Sequence, residues 1–150
     1  MDYEKLYSSG SKCLKEERLE EAMKYYVQAI ELDADRPEAH FGRGVVKFDS
    51  GRYEEAIEDF DRVIRLNPSI TEAYNNRGIT KFNLGRNKGA IEDFDKAIEL
   101  NPGYAGAYNN KGVAEAKLGK LEEAVANYKQ AIELRPRFVR AYHNRSSLQL

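Results

Sequence analysis

The chain runs to 150 residues with 24 basic and 25 acidic side chains, a balance that removes the bulk electrostatic case for nucleic acid or an anionic membrane as partner. One cysteine and two histidines allow no internal disulfide and put the usual Cys/His zinc sites out of reach, so neither metal nor cofactor is expected. No apolar run approaches a membrane span and the opening MDYEKLYSSG lacks the apolar core of a signal peptide, which makes the cytoplasm the expected compartment.

Internal repetition organises the rest. Ala73-Tyr74-Asn75-Asn76-Arg77-Gly78 returns as Ala107-Tyr108-Asn109-Asn110-Lys111-Gly112, then in degenerate form as Ala141-Tyr142-His143-Asn144-Arg145-Ser146, at a spacing of 34. Extended backwards, this register gives units at 3–36, 37–70, 71–104 and 105–138 with a partial fifth at 139–150. No insertion or deletion breaks it, so residues 1–150 read as one array.

In the first unit the pattern predicts helices near 2–16 and 19–32. Helices near 37–49 and 54–66 follow in the second, 71–84 and 88–100 in the third, 105–118 and 122–134 in the fourth. Gly51, Gly85 and Gly119 stand where a first helix has to end in a left-handed turn; the first unit puts Glu17 there. Asn67-Pro68, Asn101-Pro102 and Arg135-Pro136 stop the second helices, because a residue before proline avoids α geometry. Position eight carries Gly10, Gly44, Gly78 and Gly112, and position twenty-four carries Tyr26, Phe60, Phe94 and Tyr128. Small residues let antiparallel helices approach, and the aromatic fills the space beside them. The third unit has the weakest second-helix start: Asn87-Lys88-Gly89 replaces Tyr53-Glu54-Glu55, with Asn87 the candidate N-cap. Residues 139–150 are expected to form a capping helix with Ala141, Tyr142, Arg145 and Leu148 toward the stack.

This signature resembles the tetratricopeptide-repeat (TPR) family across the chain. Its departures are Leu6, His40, Tyr74, Tyr108 and Tyr142 at position four, never tryptophan, and Ser9, Arg43, Arg77, Lys111 and Arg145 in place of the leucine at position seven. The resemblance implies an all-α, right-handed superhelical solenoid of antiparallel helix pairs, four units plus a C-terminal capping helix. First helices would line the concave face, with positions two, five, six, nine, twelve and thirteen toward the groove. By the same resemblance the chain is a protein-interaction scaffold, not an enzyme, and holds an extended peptide segment of a partner there.

The candidate peptide-binding residues follow from those positions. Asn76, Asn110 and Asn144 at position six resemble the asparagine ladder of the TPR superhelix in the enzyme that attaches N-acetylglucosamine to proteins. Amides in a row can hydrogen-bond the main chain of an extended ligand; equally, they can bond to neighbouring helices. Asn75 and Asn109 share the groove at position five. Phe48 and Phe82 at position twelve are apolar anchors or, more simply, packing between first helices. The basic clamp by which other TPR grooves hold acidic chaperone tails is absent: positions five and nine offer Tyr7/Ser11, Phe41/Val45 and Asn75/Ile79.

Charge is polarised along the array. The four units carry net charges of −2, −2, 0 and +2, and residues 139–150 add two arginines. Lys117, Arg137, Arg140 and His143 make the C-terminal end the natural place for an acidic segment. Self-association through the terminal helices, acidic end on basic end, is the alternative reading. Arg43 with Asp59 and Arg77 with Asp93, at positions seven and twenty-three, read as structural ion pairs. Cys13 has no partner histidine at a plausible offset, and His40 falls at a packing position.

Overall fold

The computed structural model describes residues 1–137 and 139–148, the side chains of Val139 and Leu148 excepted. The helices are α1 (Tyr3–Lys15), α2 (Leu19–Leu32), α3 (Pro37–Asp49), α4 (Tyr53–Leu66), α5 (Thr71–Asn83), α6 (Asn87–Leu100), α7 (Ala105–Lys117), α8 (Leu121–Leu134) and α9 (Val139–Leu148). Every one of the first eight begins and ends within a residue of the bounds read from the repeat. Each helix packs on the next in the chain, and each odd-numbered helix also touches the next odd-numbered one. The result is a solenoid of antiparallel pairs, because no pair can bury its own apolar face without its neighbours.

Sequence explains the close approach inside each pair. The rings of Tyr26, Phe60, Phe94 and Tyr128 are buried against the glycine at position eight of their own pair. A Cβ on Gly78 would come within 2.6 Å of the Phe94 ring, so only glycine lets α5 and α6 meet there. Between helices the chain turns through a left-handed residue: Gly51, Gly85 and Gly119 have φ of 76°, 78° and 79°. Glu17 takes the same turn at φ 58°, where a Cβ crowds the following carbonyl.

Two expectations need correction. Asn87 does not cap α6; it is the helix's first residue, and Arg86 stands at the cap, its side chain paired with Glu54 and making no capping hydrogen bond. The chain enters α6 as it enters α4 and α8, from the residue after the turn glycine, which places the basic side chain rather than the amide at the cap. On α9, Ala141 is fully buried beside Ala131 and Ile132, but Tyr142 is 40 % exposed. Successive helical residues point about 100° apart, so the alanine that docks on α8 turns the tyrosine outward. The Arg145 guanidinium lies 5.5 Å from the centroid of that ring. The expected contact of Leu148 falls outside the described side chains.

Candidate groove along the odd-numbered helices

Positions nine, twelve and thirteen of one pair meet positions six and nine of the next. Val45, Phe48 and Asp49 on α3, Asn76 and Ile79 on α5, and Phe60 from α4 enclose a cleft of about 210 Å³. Thirty-four residues on, Ile79, Phe82, Asn83, Asn110, Val113 and Phe94 enclose a second cleft of about 280 Å³, joined there by Asn109, Arg140 and Asn144. Phe48 and Phe82 are each half-buried and wall a cleft; Phe48 also leans on Tyr53 at 5.3 Å between ring centroids.

At the corresponding place between the first two pairs, the Tyr26 ring takes the space of a position-six side chain. Tyr26 extends over Gly42, at position six, where a Cβ would lie 2.4 Å from the ring. Its hydroxyl sits 3.2 Å from Ser11 Oγ. Gly42 therefore interrupts the row of asparagines for a packing reason.

The asparagines bond to one another across helices. Asn110 Nδ2 donates to Asn75 Oδ1 at 3.1 Å, and Asn144 Nδ2 donates to Asn109 Oδ1 at 3.0 Å. Asn75 Nδ2 donates in turn to Tyr104 Oη at 3.3 Å. Asn109 Nδ2 is buried with no partner among the described residues. Asn75 and Asn109 are buried beneath the groove as supports, while Asn110 and Asn144 are half-exposed and keep further hydrogen-bonding capacity. Asn76 differs: position five of the preceding pair is Phe41, whose ring packs on Phe60, so its side-chain amide has no partner among the described residues. Arg140 is exposed at the rim of the second cleft. Lys117 is exposed at the C-terminal end of α7 and walls neither cleft.

Sequence reasoning placed positions nine and thirteen toward the groove without naming Val45, Ile79, Asp49 and Asn83 as cleft walls. Their shared offset was the available signal. The bases at position seven are held below it. Arg43 binds Asp59 at 2.8 and 3.0 Å, joined by Lys47 Nζ at 3.0 Å. Arg77 binds Asp93 at 2.7 and 2.9 Å, with Lys81 Nζ at 3.0 Å, and reaches Asp61 of the preceding pair at 2.9 Å. In the fourth pair the arrangement changes: Lys111 binds Asp95 at 2.7 Å, while position eleven is Glu115, hydrogen-bonded by Asn127. Burial pushes the Glu115 carboxyl above the usual carboxylate range, against the pull of Asn127 and Lys111. Tyr128 is pushed up to about 12 by burial and by the charge of Glu115.

His40 fills its packing position, with Nε2 2.8 Å from the Ala34 carbonyl oxygen, as the Tyr74 hydroxyl does at Pro68 with 3.0 Å. Among the described residues no group of three or more His, Cys, Asp or Glu side chains could hold a metal ion, and no helix is long and apolar enough to cross a membrane.

Comparison with known proteins agrees with this architecture. A family described as TPR repeat matches residues 10–51 and 112–149, and families described as tetratricopeptide repeat match 37–70, 71–104 and 94–126. No curated protein matches the chain. The crystal structure of MamA protein is similar at 26 % identity and TM-score 0.86, over 97 % of this chain and 80 % of that one. The first TPR of Spaghetti (RPAP3), solved bound to the HSP90 peptide SRMEEVD, is 29 % identical with TM-score 0.74, over 78 % of this chain and 93 % of that one. MamA from Desulfovibrio magneticus RS-1, at 24 % identity and TM-score 0.88 over 99 % of this chain and 85 % of that one, shares the fold. With its period, its glycine–aromatic packing and these matches in agreement, the chain belongs to the tetratricopeptide-repeat family.

Proposed function

We propose that residues 1–150 act as one array that holds an extended segment of a partner protein along the row of clefts on the odd-numbered helices. The observation that carries this reading is the recurrence of one open cleft at the same register positions, α3/α5 and α5/α7, each with a phenylalanine wall and an asparagine edge. Two equivalent sockets side by side suit a chain that presents side chains at a regular interval. Asn76, Asn110 and Asn144 would hold the ligand main chain, supported from below by Asn75 and Asn109. Phe48 and Phe82 would contact its apolar side chains, and Arg140, with Lys117 beyond, would favour acidic residues at one end. TPR proteins are in general interaction scaffolds, and a structural neighbour binds a peptide.

The test compares wild type with a Phe48→Ala/Phe82→Ala variant in capture from lysate, after their melting temperatures are matched. The captured partner's peptide should then slow hydrogen exchange in α3, α5 and α7. A partner retained equally by both proteins, or protection confined to other helices, overturns the groove.

A second reading is head-to-tail self-association. Met1 and Leu32 are 74 % and 57 % exposed at the acidic end, and Tyr142 is exposed at the basic end. A molar mass in light scattering that rises with concentration and falls with salt would support it.

A further inference from the structure

The two clefts use the same register positions but differ in charge at their rims. Position thirteen of the first is Asp49, exposed at the cleft's edge. In the second cleft that position is the neutral Asn83, and α9 adds Arg140, which is exposed and in no ion pair among the described residues. Beside Arg140 the walls of the second cleft carry the amides of Asn83, Asn110 and Asn144 and no carboxylate. One end of the groove therefore repels anions and the other attracts them. This follows the drift of net charge from negative to positive along the array.

The spacing sets the ligand's period. Ile79 belongs to both clefts, so they are immediate neighbours. Packed helices lie about 10 Å apart. A polyproline-type extended chain brings residues i and i+3 to the same face about 9 Å apart. Two apolar side chains three residues apart would then enter the two clefts together.

We propose that the groove reads the direction of its ligand by charge, taking an extended segment of the pattern basic–apolar–x–x–apolar–acidic with its basic end at Asp49 and its acidic end at Arg140. This rests on the groove reading above and adds the chemistry and polarity of the partner. Charge complementarity at the rims supplies direction, while the phenylalanine-walled clefts supply contact area.

The experiment uses the full chain and three labelled peptides, acetylated and amidated so that chain termini contribute no charge. The forward peptide is Gly-Lys-Leu-Ala-Pro-Leu-Asp-Gly; in the second, Lys and Asp are exchanged, and in the third both are Gln. Fluorescence anisotropy at about 50 mM salt keeps screening low. Either charged peptide can lay its Lys at Asp49 and its Asp at Arg140 by choosing its direction. Both should therefore bind up to about tenfold tighter than the Gln peptide, as two exposed ion pairs allow. A spin label at the peptide N-terminus should broaden NMR signals of α3 with the forward peptide and of α9 with the exchanged one. An Asp49→Lys/Arg140→Glu variant, whose changes lie at exposed sites, should exchange the two label positions. Equal affinity for all three peptides, or label positions unchanged in the variant, overturns the directional proposal and leaves the groove standing. Failure of all three to bind, or binding indifferent to Phe48→Ala/Phe82→Ala, overturns both.

Discussion

Arg77 and Asp93 form a two-pronged ion pair, 2.7 and 2.9 Å, that ties α5 to α6 beneath the groove. Asp93 is 4 % exposed and also receives Lys81, whereas the second partner of Arg77, Asp61, sits at the surface. A buried carboxylate that neutralises two bases is far harder to remove than an exposed one. Asp93→Ala should lower stability by about 2–3 kcal/mol, below the full cost of a buried unpaired charge because both bases keep some contact with solvent. Asp61→Ala should cost about 0–1 kcal/mol. Urea unfolding of both variants checks the contrast, and equal losses would contradict it.

Glu17 occupies a left-handed turn at φ 58° where the later turns use glycine. Glu17→Gly should raise stability by about 0.5–1 kcal/mol, the relief of the Cβ clash exceeding the extra chain entropy of glycine. The measured quantity is the thermal midpoint, and a lower one would count against strain at this turn.

The entry to α6 has neither a side-chain cap nor an acidic first turn, and Gly89 lies in that turn. Gly89→Ala should stabilise by about 1 kcal/mol, since the added Cβ meets only the flexible Lys81 side chain at 3.4 Å. Amide exchange should be faster at 86–90 than at 51–54 or 119–122, and the alanine variant should slow it.

Asn76 and Asn110 separate ligand binding from packing. Asn110→Ala breaks a hydrogen bond to buried Asn75 and should cost about 1 kcal/mol, coupled in a double-mutant cycle with Asn75→Ala. Asn76→Ala breaks no side-chain hydrogen bond among the described residues, so stability should hold while partner affinity drops. Loss of stability without loss of affinity in Asn76→Ala would make this amide structural as well.

Glu115 carries a carboxyl whose pKa is raised on folding, chiefly by burial. Protonated Glu115 is favoured in the folded protein, so its stabilising effect is complete below the unfolded carboxylate value of about 4.3 and declines as pH rises through the folded value. Glu115→Gln keeps an oxygen for Asn127 to donate to and removes the buried charge. The variant should be the more stable protein at pH 7, with a smaller loss of stability between pH 4 and 7. Denaturant midpoints across that range decide it, and parallel pH curves would contradict the assignment.

The helices were legible from particular letters. Gly51, Gly85 and Gly119 require left-handed turns, prolines end the second helices, and glycine opposite an aromatic allows close packing. These are local rules repeated in register, and a period of 34 makes each occurrence check the others. The outward turn of Tyr142 was not legible, because residues adjacent on a helix compete for one inward direction and the docking of Ala141 settles it.

The groove divides along the same line. Offset alone picked out Asn76, Asn110 and Asn144, but the three are equivalent only in sequence. Their partners come from another helix: Asn75 beneath Asn110, Asn109 beneath Asn144, and Phe41 where an amide beneath Asn76 would be. The filling of the space over Gly42 likewise depends on how far the Tyr26 ring reaches across a pair boundary. Sequence by itself determined the repeat, the turns and the direction of the charge gradient, since these follow from residue type and spacing along one chain. Tertiary structure alone decided which amides are occupied, which clefts stay open and which charges share a rim, because each depends on side chains brought together from different helices.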